Sequence, residues 1–490
     1  MHRGWQINLS QKIDSASAIP LYMQIAQAII HDIEAGRIGP GALLPSSRAL
    51  AQTLQVSRKT VVTAYDDLIA QGWLSTSATS GTFVSDMLSP RPQAGNGEST
   101  LKSYNARPNF SFRASPDRPI ALADGPGLVV DEGSPDDRLF PLDELARSYR
   151  YALRDVQRGS GLHYSNPRGL EGLRSGIAHM LKAQRGLATG YENICVTRGS
   201  QQAIFLIALA LLKPGDAIIV EELTYEPAVA AFRALGADVI TVSLDSGGID
   251  VVEVRDICRK KAVRAVFVTP HHQFPTTVSM APERRLELVE LARRFEFAII
   301  EDDYDHEFHF ESQPLLPIAA YAPEHVIYIG SLSKLLVPAL RIGYVAANQV
   351  FIDALAYLIS LNDAMGNRLT EAAVHDMLEN GQVLRHARKA RKIYAARRTH
   401  FAAILIAELR SKVDYQIPNG GLAFWLKFHA DIDQVEAKAV EKGLRFASNQ
   451  SYKTRPNAPS GLRIGFASRT EQENLAIIST LAKIIDQLES

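Results

Sequence analysis

The sequence predicts two unlike folds in one chain: an N-terminal winged helix-turn-helix (α+β) and, beyond a linker, an α/β domain with a mostly parallel sheet and a smaller C-terminal α/β subdomain. Three observations carry this. Two short helices, each opened by serine, stand back to back near residues 46–69. A stretch without periodicity follows. From about residue 120, short apolar runs alternate with amphipathic helical segments to near the end of the 490 residues.

Within residues 15–85, Leu21, Ile25, Ile29 and Ile33, with Tyr22, Ala26 and Ile30, put a wide apolar stripe on an opening helix. Gly39-Pro40-Gly41 ends that segment. Ser46 or Ser47 then caps a short helix, Gln55-Val56 makes a tight connection, and Ser57 caps a second helix over about Arg58 to Ile69. Arg58, Lys59 and Thr60 fall in the first turn of this second helix, the part of a recognition helix that meets base edges and phosphates, and Arg48 opens the first. Trp73-Leu74-Ser75 and Gly81-Thr82-Phe83-Val84 read as two strands around a polar tip, Ser77 to Ser80, so the expected DNA contacts are Arg48, Ser57, Arg58, Lys59, Thr60 and Gly81.

Charge gives this reading no general support. The chain holds 53 Lys/Arg against 53 Asp/Glu. What favours DNA is placement, because Arg48, Arg58 and Lys59 lie at helix starts while Asp66 and Asp67 lie farther down. Residues 86–119, including Ser89-Pro90-Arg91-Pro92, read as a flexible linker.

Residues 120–490 form the second unit. The runs Ile194–Thr197, Ala217–Val220, Val239–Val242, Ala265–Val268, Phe297–Ile300, Val326–Ile329 and Ile342–Ala346 are expected as strands. Pro227–Leu235, Val251–Lys260 and Pro282–Phe295 are expected helices between them. A long basic helix from about Arg385, then strands at Phe424–Phe428 and Leu462–Phe466, make the smaller subdomain. With 46% apolar and 22% charged residues, no apolar run of 18 or more and only Cys195 and Cys258, the expectation is a reduced, cytoplasmic protein without a membrane span, disulfide framework or metal site.

Chemistry concentrates after two of the strands. Val326–Ile329 leads into Ser331-Leu332-Ser333-Lys334, with Arg341 seven residues on. Phe297–Ile300 empties into Glu301-Asp302-Asp303-Tyr304-Asp305. Ligands of open α/β sheets bind beyond the carboxyl ends of the strands. A lysine, two serines and an arginine at one end, with an aspartate and a tyrosine at another, suit pyridoxal 5'-phosphate. Lys334 would form the Schiff base and Asp302 would face the pyridinium nitrogen, while Ser331, Ser333 and Arg341 hold the phosphate. Glu301 and Asp303 would point elsewhere by strand alternation. Gly199-Ser200-Gln201 opens an apolar helix over Ala203–Leu212, and its backbone N–H groups make Ser200 and Gln201 phosphate ligands too.

The order Pro20-Leu21-Tyr22, Leu44-Pro45-Ser46-Ser47-Arg48, Val56-Ser57-Arg58-Lys59-Thr60-Val61 resembles the GntR-type winged helix. Residues 120–490 resemble fold-type I aminotransferases, and the fusion resembles the MocR/GabR regulators. The resemblance implies a homodimer that binds a double-stranded DNA operator. It implies a sensor domain in which an amino compound displaces Lys334 from the cofactor aldehyde, forming an external aldimine. By the same resemblance Tyr304 donates to the phenolic oxygen, Tyr225 stacks on the ring and Arg463 binds an effector carboxylate. Tyr164 reaches the phosphate of the partner subunit. His271-His272-Gln273 stands where aminotransferases carry an asparagine, so His272 and Gln273 are expected at the ring edge rather than on a metal. Ala423 and Leu145 depart from histidine and tryptophan common in the regulators, which bears on effector specificity. Two other readings stand beside the regulator: an active aminotransferase tethered to a winged helix, and a DNA-binding protein whose large domain is only a scaffold.

Overall fold

The computed structural model describes Leu9 and residues 12–77, 81–88, 110–111, 127–158, 163–310, 316–409 and 411–489. Most of the expected linker and the wing tip at 78–80 lie outside the described residues. The chain divides into two compact units, Met1–Asp117 and Arg118–Ser490.

In the first unit, helices α1 (Leu21–Glu34) and α2 (Ser47–Leu54) both pack on α3 (Arg58–Ala70). Ser46 Oγ accepts from Ala49 N, and Ser57 Oγ accepts from Thr60 N, so both serines satisfy helix-start donors. Gln55 between them takes a left-handed φ of 54°, which lets α3 start at once in a new direction. Strands β1 (Leu74–Ser77) and β2 (Gly81–Val84) pair antiparallel, Leu74 opposite Val84. Ile25, Ile29, Leu50, Val61, Leu68, Leu74 and Val84 are buried together. The Tyr65 hydroxyl donates to Pro45 O at 2.9 Å and ties α3 to the segment that leads into α2.

The second unit is built on a seven-stranded sheet. Its strands are β3 (Ile194–Thr197), β4 (Ala217–Glu221), β5 (Asp238–Val242), β6 (Val263–Val268), β7 (Ala298–Asp303), β8 (Val326–Ser331) and β9 (Gly343–Ala346). Their order is β3-β9-β8-β7-β6-β4-β5, and β9 runs against both neighbours while the other pairs are parallel. Parallel strands covered on both faces read as unbroken apolar runs, which is why these were legible. One apolar cluster, including Val196, Ile219, Val266, Ile299 and Tyr328, lies on one face. Another, including Ile218, Val220, Phe267, Ile300 and Ile329, lies on the other.

The small subdomain has the sheet β10 (Val413–Asp414), β11 (Ala423–Phe428) and β12 (Leu462–Gly465), with helix Gln382–Leu409 packed on helix Glu471–Glu489. Leu128–Val129 pairs parallel with Leu444–Arg445, so the first described residues of this unit are part of the small subdomain. Gly465 N donates to Asp131 O at 2.6 Å and holds the same arm against β12.

Candidate functional site

Because β3 and β8 both run against β9, residues 199, 303 and 331 leave the sheet at one edge. That edge gathers the chemistry. Along β7 the side chains alternate. Glu301 accepts from Ile318 N and Ala319 N, each at 2.9 Å, and so caps a turn. Asp303 is paired with Arg185 and accepts from Tyr328 at 2.7 Å. Burial works against its charge, but Arg185, His306, His271 and the Tyr328 hydrogen bond together outweigh burial and hold the Asp303 carboxyl well below its usual range.

Asp302 faces the other way, 5% exposed, and its Oδ1 has no hydrogen-bond partner among the described residues. Burial, then the charges of Asp303 and Asp305, push it up to about 8. A buried carboxylate left without a cation is costly. A cationic ring nitrogen placed here would relieve that cost. Tyr225, at the start of helix Glu226–Ala234, lies near it: burial raises the phenol to about 12, and the charge of Asp302 adds to that.

Lys334 sits in the turn after β8, and its Nζ donates to Gly133 O at 2.8 Å. Burial holds the ammonium below its usual value, opposed by Asp131 and reinforced by Arg463. Tyr304 donates to His272 O at 2.9 Å and accepts from Arg463 Nη2 at 3.2 Å. Burial, opposed by Arg463, keeps the Tyr304 phenol well above its ordinary range.

The remaining phosphate candidates meet at the other side of this edge. Gly199, with φ 83°, precedes helix Ser200–Leu211 and brings the start of that helix beside Arg341. A Cβ on Gly199 would lie 3.1 Å from Arg341 Nη2, and one on Gly343 would lie 3.0 Å from Ser200 N, so both glycines allow a close approach. Arg341, itself at φ 53°, donates to Arg198 O at 2.8 Å. Ser331 Oγ accepts from Ser333 N, whereas the buried Ser333 Oγ and Gln201 Oε1 have no partner among the described residues. Free N–H groups at a helix start, an arginine and an uncommitted hydroxyl suit a phosphate. With the orphaned Asp302 and the half-buried Lys334, the residues present fit pyridoxal phosphate.

Other expected residues are placed differently. Gln273 donates through Nε2 to Glu221, Leu223 O and Phe274 O, and its Oε1 accepts from Thr276, so no amide hydrogen is left for a ring edge. His272 turns Nδ1 to Asp305 Oδ1 at 2.6 Å. Arg463, 1% exposed on β12, donates to Glu132 O and Pro275 O and lies 4.9 Å over the Phe274 ring. It has no carboxylate partner among the described residues. Tyr164 is 87% exposed. The arm carrying Asp131, Glu132 and Gly133 was not anticipated. Its contacts to Lys334 and Arg463 span 201 and 331 positions, which no local pattern signals.

Residues 139–481 match the family described as Aminotransferase class I and II, and residues 21–84 match the bacterial regulatory proteins of the gntR family. The chain belongs to the MocR-type regulators. It is 28% identical over 496 residues to the probable rhizopine catabolism regulatory protein MocR of Rhizobium meliloti, covering 98% of this chain and 96% of that one. It is 30% identical over 450 residues to the pyridoxine biosynthesis transcriptional regulator PdxR of Corynebacterium glutamicum, covering 91% and 92%. Among solved structures, the multiple substrate aminotransferase of Thermococcus profundus matches with a TM-score of 0.70 at 26% identity, over 75% of this chain and 93% of that one. MocR-type architecture makes this chain a transcriptional regulator with pyridoxal 5'-phosphate as cofactor and a GntR head for DNA. On that head Arg48, Ser57, Arg58 and Lys59 are exposed and Thr60 is half-buried. Gly81, exposed with φ 107°, opens β2. Arg48, Arg58 and Lys59 have no ion-pair partner among the described residues. No described helix is long and apolar enough to cross a membrane.

Proposed function

We propose that this regulator works as a cytoplasmic homodimer whose large unit reads an amino compound and whose GntR heads bind an operator. The observation that carries the reading is half-buried Lys334 at one edge that also holds Asp302 with an unpartnered oxygen among the described residues, in a chain whose GntR head exposes Arg48, Arg58 and Lys59. Bound there, the cofactor supplies an aldehyde that condenses reversibly with a primary amine. Lys334 is that amine at rest, kept neutral more readily than a free lysine by its burial. Asp302 holds the ring nitrogen, Tyr225 covers the ring and Tyr304 donates toward the phenolic oxygen. Ser200, Gln201, Ser331, Ser333 and Arg341 hold the phosphate.

An effector amine taking its place would free Lys334, whose contact with the Gly133 arm could then change. That arm belongs to the small subdomain, so the exchange biases how the two subdomains meet. Arg463, a buried cation without a carboxylate partner among the described residues, receives the carboxylate of an amino-acid effector. Tyr164 completes the phosphate site of the partner subunit. Its exposure supports this, as do Tyr357 and Leu361, both more than 60% exposed on helix Gln349–Asn362.

An active transaminase is favoured by the same cofactor residues. Supplying amino acids with 2-oxo acids separates the two. A regulator gives a change in cofactor absorbance that stops at one equivalent, whereas steady turnover establishes the enzyme.

A further inference from the structure

Beyond the carboxyl ends of β6 and β7 lies a group of histidines that the cofactor chemistry does not use. His271, His272 and His309 bring one ring nitrogen each to within 4.8 Å of one another. His271 is 4% exposed and His272 2%. Neither nitrogen of His271 has a hydrogen-bond partner among the described residues, nor has Nε2 of His272. A buried imidazole with an unpaired nitrogen is unfavourable, and His271 and His272, converging with His309 on one place, share one remedy, a common electrophile.

We propose that His271, His272 and His309 form a binding site for a divalent transition metal of the zinc class, with Asp305 orienting His272 from behind. The hydrogen bond from His272 Nδ1 to Asp305 leaves Nε2 with its lone pair toward the cluster, the carboxylate–histidine arrangement found behind metal ligands. Asp305 Oδ2 is buried and unpartnered, so a negative charge beside the ligands lacks compensation that a dication supplies.

Space is reserved as well. Gly420 bridges to His309 through the backbone, and a Cβ there would fall 2.5 Å from His272 Nε2 and 2.6 Å from Phe308 O. Zinc–nitrogen bonds of about 2.0–2.1 Å place tetrahedral donors about 3.4 Å apart, so the three rings draw in by side-chain rotation. Three nitrogens leave a fourth position for water or an anion. The site adjoins the cofactor edge, because Tyr304 donates to the His272 carbonyl.

Cobalt(II) titrated into untagged, metal-stripped, full-length holoprotein reads the site directly. One ion per chain should bind with visible bands of a four-coordinate, nitrogen-ligated centre, and zinc should displace it. His271→Ala and His309→Ala should each weaken binding at least tenfold while the cofactor absorbance is retained. Asp305→Asn should weaken it about 10–100-fold. The wild-type titration decides even if a variant fails to fold. Absence of stoichiometric binding, a six-coordinate spectrum without nitrogen ligation, or undiminished binding in the folded His271→Ala and His309→Ala proteins overturns the assignment.

Discussion

The ammonium of Lys334 donates to the carbonyl oxygen of Gly133 at 2.8 Å. One partner stands at the end of a central strand of the large sheet. The other lies in the arm held by the small subdomain through Asp131 and Gly465. The residue proposed to carry the cofactor is thus also a clasp between subdomains.

Lys334→Ala should fold, fail to retain cofactor absorbance after gel filtration, and lose every spectral response to amines. Borohydride reduction of the wild-type holoprotein followed by peptide mapping should label Lys334. A label on another lysine contradicts the site.

Asp302→Asn should separate stability from cofactor binding. The Asp302 carboxyl is raised from 3.8 to about 8 in the folded chain, so the folded form holds a proton that the unfolded form gives up. Its destabilising effect is absent below about pH 4, grows as pH rises toward about 8, and persists above. The cofactor-free variant should therefore match wild type near pH 4 and exceed it by on the order of 1–3 kcal/mol at pH 8. The same variant should bind cofactor far more weakly. Thermal melts across pH test this, and a difference that does not vary with pH contradicts it.

Much of the fold was legible because its strands are buried on both faces and its helices carry their caps in sequence. Ser46 and Ser57 cap as their spacing suggests, and helices Val251–Lys260 and Pro282–Phe295 run as expected. Strand Ala298–Asp303 runs three residues past the apolar run, because each acidic side chain at its end lies buried while the backbone stays in the ladder. The places of Asp302 and Lys334, at and just beyond the ends of two sheet strands, were legible from the apolar runs alone. The Gly133 arm, the Gln273 braces and the approach of His309 to His271 depend on loop paths, which local periodicity does not encode.

Arg463→Ala should reduce the response to amino acids while sparing that to amines without a carboxylate. Spectral titration with an amino acid and its decarboxylated counterpart measures this. Loss of response to both alike would make Arg463 a brace for Glu132 and Pro275 instead.

Arg58→Ala should cost about 1–3 kcal/mol in operator binding and relax preference at one base pair. Arg48→Ala, at a phosphate, should weaken binding to all sequences and lower the salt dependence by about one ion. Both should keep the cofactor spectrum. Selection from random DNA followed by binding at several salt concentrations resolves them.

The central claim is that amine exchange at Lys334 is what the DNA heads report. Footprinting of full-length wild type and Lys334→Ala on a selected operator, with and without an amine that shifts the wild-type spectrum, tests it most directly. The footprint of wild type should change with the amine and that of Lys334→Ala should not. An equal response from both proteins would contradict the account.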